Sequence, residues 1–281
     1  MPVHALVILI IILSVLALTG LWIFLIAPRA RKEAMRPFIR PYAHRGLWNE
    51  AIPENSLSAF RRAADEGFAI ELDVQLSRDN TVMVFHDYTL DRMCGAPCKL
   101  SDLTTAELKK LCLKDTNERI PTLREVLSAV GGRVPLLIEL KGESTDTSLV
   151  PRVLAELSTY EGEWCIESFN PLLLRAVKRL DNSVVRGLLS GDLTKNKENG
   201  SPFLNFILTQ LLLTFLCRPA FHAYDGRYPN RRALKVGIRY FGAAPVVYTI
   251  KNEIDYDRFL DAGIAPIFEG FVPRRKEIVR K

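Results

Sequence analysis

Ala69-Ile70-Glu71-Leu72-Asp73-Val74-Gln75-Leu76 alternates apolar and polar residues without a break. As a β-strand it sends Ile70, Leu72, Val74 and Leu76 to one face and Glu71, Asp73 and Gln75 to the other. The apolar face suits a covering layer of helices. Two carboxylates on the opposite face repel each other, and in a closed sheet that face points into a crowded interior where unpaired charge costs several kcal/mol. A bound cation resolves the conflict. All the candidate ligands are oxygens, which favours a hard divalent ion, Mg²⁺ or Ca²⁺, over zinc.

The same parity places Glu139 and Lys141 of Pro135-Leu-Leu-Ile-Glu-Leu-Lys141 opposite Leu136, Ile138 and Leu140. A third carboxylate and a cation therefore stand at the end of another apolar strand. In Thr81-Val-Met-Val-Phe-His86 the imidazole also comes last. Function at strand ends is how barrels of parallel strands and surrounding helices arrange their active sites. Upstream stand His44-Arg45-Gly46 and Pro53-Glu-Asn-Ser56. Two histidines, paired carboxylates and an arginine within this short span point to phosphate chemistry.

The order His44-Arg45, Pro53-Glu-Asn-Ser56, Glu71-Leu-Asp-Val74, Val82-Met-Val-Phe-His-Asp87, Ile120-Pro-Thr-Leu123, Ile138-Glu-Leu-Lys141 and Ser168-Phe-Asn170 resembles the glycerophosphodiester phosphodiesterase family, over most of residues 40–273. The later part departs from the family pattern. Tyr248-Thr-Ile-Lys251 stands where Trp-Thr-Val-Asn is usual, and the last strand ends Ile267-Phe-Glu-Gly270 in place of Thr-Asp. These departures bear on substrate choice more than on the chemistry. The resemblance implies hydrolysis of glycerophosphodiesters to sn-glycerol 3-phosphate and an alcohol, with the substrate's own glycerol hydroxyl as a possible nucleophile.

Hydrolysis of a phosphodiester requires neutralised non-bridging oxygens, an activated nucleophile and a protonated leaving group. One divalent cation on Glu71, Asp73 and Glu139, with Arg45 and Lys141 on the phosphate, would supply the first. His44 and His86 are the candidate acid and base, in either assignment. Asn55, Phe169 and Tyr248 are candidate pocket residues, although Asn55 equally suits a helix cap and the two aromatics the core. Two other readings stand beside this one: a phospholipase D-like enzyme acting on lysolipids or sphingolipids, and a non-catalytic, membrane-tethered phosphodiester-binding protein.

The chain of 281 residues carries a net charge of +6, with 48% hydrophobic residues. The charge is concentrated in residues 29–40 and 274–281, which argues against a nucleic-acid partner. Five cysteines do not spell a disulfide framework and read as plain thiols. Ala5–Ala27 is uncharged and long enough to cross a bilayer, and the basic residues follow it. The expected organisation is a transmembrane anchor within 1–28 and a basic juxtamembrane linker at 29–38 that could sit near anionic headgroups. A TIM-type (β/α)8 barrel at 39–273, an insertion at 88–118 over the site, and a basic tail at 274–281 complete it. The positive-inside rule puts the barrel in the cytoplasm. Nine strand-like runs compete for eight barrel places, so one is either a hairpin arm, for which the turn at Arg78–Asn80 leaves room, or not a strand at all. Phe203–Cys217, apolar on most faces, suits either a buried barrel helix or an interfacial helix.

Overall fold

The computed structural model describes residues 3–142, 144–196 and 201–274. The chain begins with α1 (Val3–Ile26), α2 (Lys32–Met35), a 3₁₀ turn at Arg36–Phe38, β1 (Tyr42–Ala43), α3 (Leu57–Asp65), β2 (Ala69–Leu76) and β3 (Val82–Val84). It continues through α4 (Asp91–Cys94), α5 (Thr105–Leu108), α6 (Leu123–Val130), β4 (Leu136–Leu140), α7 (Leu149–Leu157), β5 (Trp164–Ser168), α8 (Pro171–Leu180) and β6 (Arg186–Ser190). The remainder forms α9 (Leu193–Asn196), α10 (Pro202–Thr209), α11 (Thr214–Cys217), β7 (Phe221–Asp225), α12 (Arg232–Phe241), β8 (Ala244–Ile250), α13 (Glu253–Asp261) and β9 (Ala265–Phe268).

Eight strands are parallel and close on themselves, because the two-residue β1 pairs with both β2 and β9. The ninth, β3, runs antiparallel to β2 with Val84 opposite Val74, and is the expected hairpin arm. The result is a TIM-type barrel. Ile70, Leu72 and Val74 pack outward with Leu136, Ile138 and Leu140 against the helices, as the alternation requires. Inside, Ala69, Leu137, Cys165 and Phe221 form an apolar lower layer. Gly187 makes room for it, since a Cβ there would lie 2.0 Å from the Phe221 ring. Above this layer the interior turns acidic. Thr122 caps α6 in a reciprocal box with Glu125, and Ser56 caps α3 through the Ala59 amide.

Several segments differ from expectation. The first strand is only Tyr42–Ala43, because Arg36–Phe38 turns beneath the barrel and Met35 and Phe38 join its lower apolar layer. Residues 29–38 are therefore folded against the barrel: the Arg31 guanidinium donates to the carbonyls of Asn182 and Ser183. The 88–118 segment builds its own small core from Leu90, Met93, Leu100, Leu108 and Leu113, with Met83 and Phe85 of the hairpin. It reaches the C-terminal end of the barrel strands through Arg92, which pairs with Glu54 and Asp87. Its Thr104–Leu111 stretch holds only the single helical turn α5, capped by Thr104. Phe203–Cys217 breaks into two helices where Leu211 adopts a left-handed φ of 57°. Leu211 is buried, whereas Phe203 is 74% and Phe206 51% exposed. All five cysteines are free. Of the tail, only Arg274 is among the described residues.

His222 sits on β7, wholly buried, with Nε2 3.5 Å from the Thr214 hydroxyl. Burial pushes its pKa from the ordinary 6.5 down to about 4. The folded state thus binds fewer protons than the unfolded chain. Its contribution to stability is complete above pH 6.5 and is lost as pH falls through 4, about 3 kcal/mol in all. His222→Leu is expected to flatten the acid-side fall of the melting temperature between pH 7 and pH 4, measured by thermal melts in detergent.

Candidate active site

β2 and β4 pair in register with Asp73 beside Glu139, so both carboxylates point into the barrel at its C-terminal end. One oxygen from each of Glu71, Asp73 and Glu139 lies within 4.8 Å of the others, and all three residues are buried. Lys141 Nζ is 2.9 Å from Asp73 and 2.7 Å from Glu139. The Arg45 amide donates to Glu71 (2.9 Å), and its guanidinium lies 3.5 Å from Asp73 and 2.8 Å from Glu54. This geometry needs a sharp loop. Arg45 and Asn55 both take left-handed φ, 56° and 54°, and the Asn55 amide donates to the Arg45 carbonyl. Gly46, at φ 82°, lies where a Cβ would meet the Ala59 backbone at 2.9 Å.

The charges do not balance. Glu54, Glu71, Asp73, Asp87, Glu139, Glu167 and Glu269 face Arg45, Arg92, Lys141 and Lys251, seven acids against four cations. Burial, then the Asp73 and Glu139 charges, push the Glu71 carboxyl well above its usual range. Burial also raises Glu139 to about 7 against the pull of Lys141. Asp73 goes the other way: burial opposes its ionisation, but Lys141, His86, Arg45 and His44 hold it well below the usual carboxylate range. Three buried oxygen donors with this deficit of positive charge fit a hard divalent cation.

Each imidazole is held by a carboxylate. His44 Nδ1 lies 2.5 Å from Glu269, leaving Nε2 3.9 Å from Glu71. His86 Nδ1 lies 2.6 Å from Asp87, whose other oxygen accepts from Arg92. Burial lowers the pKa of both rings. Gln75 donates to the carbonyls of Phe85, His86 and Asp87 and so fixes the end of the hairpin arm.

The sequence-derived residues thus meet at one end of the barrel, with refinements. Asn55 is not the helix cap, which is Ser56; its amide donates to Asp73 (2.9 Å). Phe169 lines a cavity of about 650 Å³ together with His86, Glu139 and Lys141. Tyr248 stands behind it, its ring 5.9 Å from Phe169 and its hydroxyl donating to the Ser190 carbonyl, so it does not line that cavity. Sequence reasoning missed Glu54, Asp87, Arg92, Glu167 and Glu269 as members of the cluster. Glu167 was within reach, since parity along β5 puts it on the interior face with Cys165.

A model of the glycerophosphoryl diester phosphodiesterase family matches residues 44–272. A glycerophosphodiester phosphodiesterase of Caldanaerobacter subterraneus subsp. tengcongensis is 38% identical over 158 residues, 52% of this chain and 65% of its own length. The chain therefore spans less than two thirds of that relative. A second, from Bacillus subtilis, is 28% identical over 253 residues, 82% of each chain. In fold the chain is similar to a phosphodiesterase of Oleispira antarctica, solved in complex with its product sn-glycerol-3-phosphate. The TM-score is 0.69 at 23% identity, covering 82% of this chain and 92% of that one.

Mg²⁺ or Ca²⁺ at about 100 times its dissociation constant is expected to stabilise the fold by ~2.7 kcal/mol, read as a rise in melting temperature. The rise should vanish in the double variant Glu71→Gln, Glu139→Gln. A parent protein whose melting temperature ignores both ions would remove the cation from this cluster.

Proposed function

Because the chain belongs to the glycerophosphoryl diester phosphodiesterase family, we propose that it is a metal-dependent hydrolase cleaving glycerophosphodiesters to sn-glycerol 3-phosphate and an alcohol. The observation that carries this reading is the pair of imidazoles, each gripped through Nδ1 by a carboxylate at the rim of one acidic cluster. Such a grip fixes tautomer and orientation and leaves Nε2 for proton transfer. A pure binding protein has no need of it.

Glu71, Asp73 and Glu139 would hold the cation, which when bound withdraws charge from a phosphate oxygen and lowers the pKa of a hydroxyl. Arg45 and Lys141 neutralise the remaining phosphate charge, Arg45 as a planar fork and Lys141 as a point charge. One of His44 and His86 takes the proton of the attacking hydroxyl, and the other returns one to the leaving alkoxide. Phe169 and the cavity wall exclude water from one side of the site. α1 acts as a single membrane anchor, with the barrel on the cytoplasmic side by the charge of residues 29–40.

One observation favours a second reading, turnover of lysolipids. Beyond Lys141 the cavity is walled by Leu140, Leu172, Leu204, Leu208 and Leu213, more apolar surface than a choline or glycerol leaving group uses. Glycerophosphocholine and lysophosphatidylcholine, assayed in parallel, separate the two.

Full-length protein in detergent, given glycerophosphocholine and Mg²⁺ or Ca²⁺, is expected to release glycerol 3-phosphate. His44→Ala and His86→Ala should each lose ~10²-fold or more in kcat with an unchanged circular dichroism spectrum. Either variant at full activity would falsify the acid/base assignment. In the same assay Glu269→Gln, which loosens His44 without touching substrate, should lower kcat about 10-fold and leave KM in place. A rise in KM beside the fall in kcat would mean that Glu269 contacts substrate.

A further inference from the structure

We propose that the catalytic end of the barrel faces the lipid bilayer, with the outward side of α10 lying in the membrane interface beside the cavity mouth. This rests on reading α1 as the anchor.

The direction of the stretch from Thr209 to Arg218 fixes the geometry. The Thr209 carbonyl accepts from the Tyr224 hydroxyl (3.2 Å), close to the catalytic end of β7. Thr214 lies beside His222, lower on the same strand. The Cys217 carbonyl accepts from Arg186 (2.7 Å), the first residue of β6. The stretch therefore descends from the catalytic end of the barrel to its opposite end.

α1 packs parallel to it. Its Phe24 ring is 5.6 Å from Phe215, Arg218 donates to the carbonyls of Phe24 (3.1 Å) and Ala27 (2.7 Å), and the Arg29 amide donates to Pro219 (2.9 Å). Followed back from Ala27, α1 climbs beside α11 and leaves the barrel on the catalytic side. Trp22 and Ile26 pack against the core, whereas residues 6–21 are exposed. The projecting part, residues 3–21, is ~28 Å long at ~1.5 Å per residue, close to the ~30 Å of a hydrocarbon core. A bilayer around that length has its surface at the level of the cavity mouth.

α10 stands at that mouth with its polarity inverted. It buries Asn205 (4% exposed) and Thr209 (1%) and exposes Phe203 (74%) and Phe206 (51%). Leu204 and Leu208 of the same helix line the cavity. A water-facing helix has the opposite pattern; a helix bounded by lipid on one side and a polar barrel rim on the other has this one. Substrate then reaches the acidic cluster along the membrane surface, past α10.

The test uses the full chain reconstituted into phosphatidylcholine/phosphatidylglycerol vesicles with brominated acyl chains, which quench a nearby indole. F206W reports on α10. E161W reports on the loop between α7 and β5, at the opposite end of the barrel. Relative to the parent, the added emission of F206W is expected to lose most of its intensity and that of E161W none. An unquenched F206W, or a quenched E161W, overturns the proposal. F203W, on the same exposed face, replaces F206W if the latter loses glycerophosphocholine turnover in detergent. Failure of the parent to float with the vesicles overturns the anchor reading itself, while turnover by the same preparation reports on the catalytic reading independently.

Discussion

The structure depends on the repulsion among carboxylates crowded into the upper part of the barrel interior, where Asp73, Glu139 and Glu167 stand in register and Glu71 lies just below them. Period-two alternation gives β2, β4 and β5 no other place for Glu71, Asp73, Glu139 and Glu167 once their apolar faces are buried against helices. Buried like charges are tolerated only when opposite charge is brought to them. Asp73 is where that compensation converges, with Asn55, Arg45 and Lys141 around it. The strained loop at Arg45, the close packing at Gly46 and the left-handed Asn55 are the means by which two distant residues of the first loop reach one carboxylate. What remains uncompensated is the space a cation would fill.

The two imidazoles stand just beyond the ends of different strands, yet they belong to one electrostatic chain. Lys251 pairs with Glu269, which holds His44; Arg45, next in sequence, pairs with Glu54; Glu54 also accepts from Arg92, and Arg92 secures Asp87, which holds His86. Arg92 is the contribution of the 88–118 segment, which therefore acts on the site through one guanidinium. Lys251 and Glu269 lie in the two motifs where the sequence departs from its family pattern, and here they form an ion pair (2.8 Å). The two motifs thus meet: a cation just after β8 pairs with a carboxylate just after β9, and that carboxylate holds His44.

Much of this was legible because alternation is a strong signal in strands buried on one face. Glu71, Asp73, Glu139, Lys141 and the hairpin arm follow from counting residues. The carboxylates behind the histidines were not legible, because which acid meets which ring depends on barrel closure, which brings β9 beside β1 across more than two hundred residues. Local chemistry left two places open. Asn55 has the composition of a helix cap but is drawn to Asp73, leaving the cap to Ser56. Residues 203–217 read as one apolar element, whereas the break at Leu211 divides a packed half from an exposed one, a distinction hydropathy does not encode.

The same closure explains the course of the N-terminal segment. Every strand of a parallel barrel starts at the end opposite the active site, so the chain must enter β1 from there. A helix leaving on the catalytic side can be joined to β1 only by running down the outside of the barrel and turning beneath it. The chain does this: α1 descends beside α11, Arg31 anchors the turn on Asn182 and Ser183, and Met35 and Phe38 seal the lower layer. The basic residues 29–40 are thereby carried to the end of the barrel away from α10. If that positive charge has a role in the membrane topology, it acts while the chain is inserted, before the connector folds under the barrel, rather than by contact with headgroups afterwards. On the proposed orientation, contact with lipid falls to the exposed aromatic side of α10, at the end of the barrel that carries the acidic cluster.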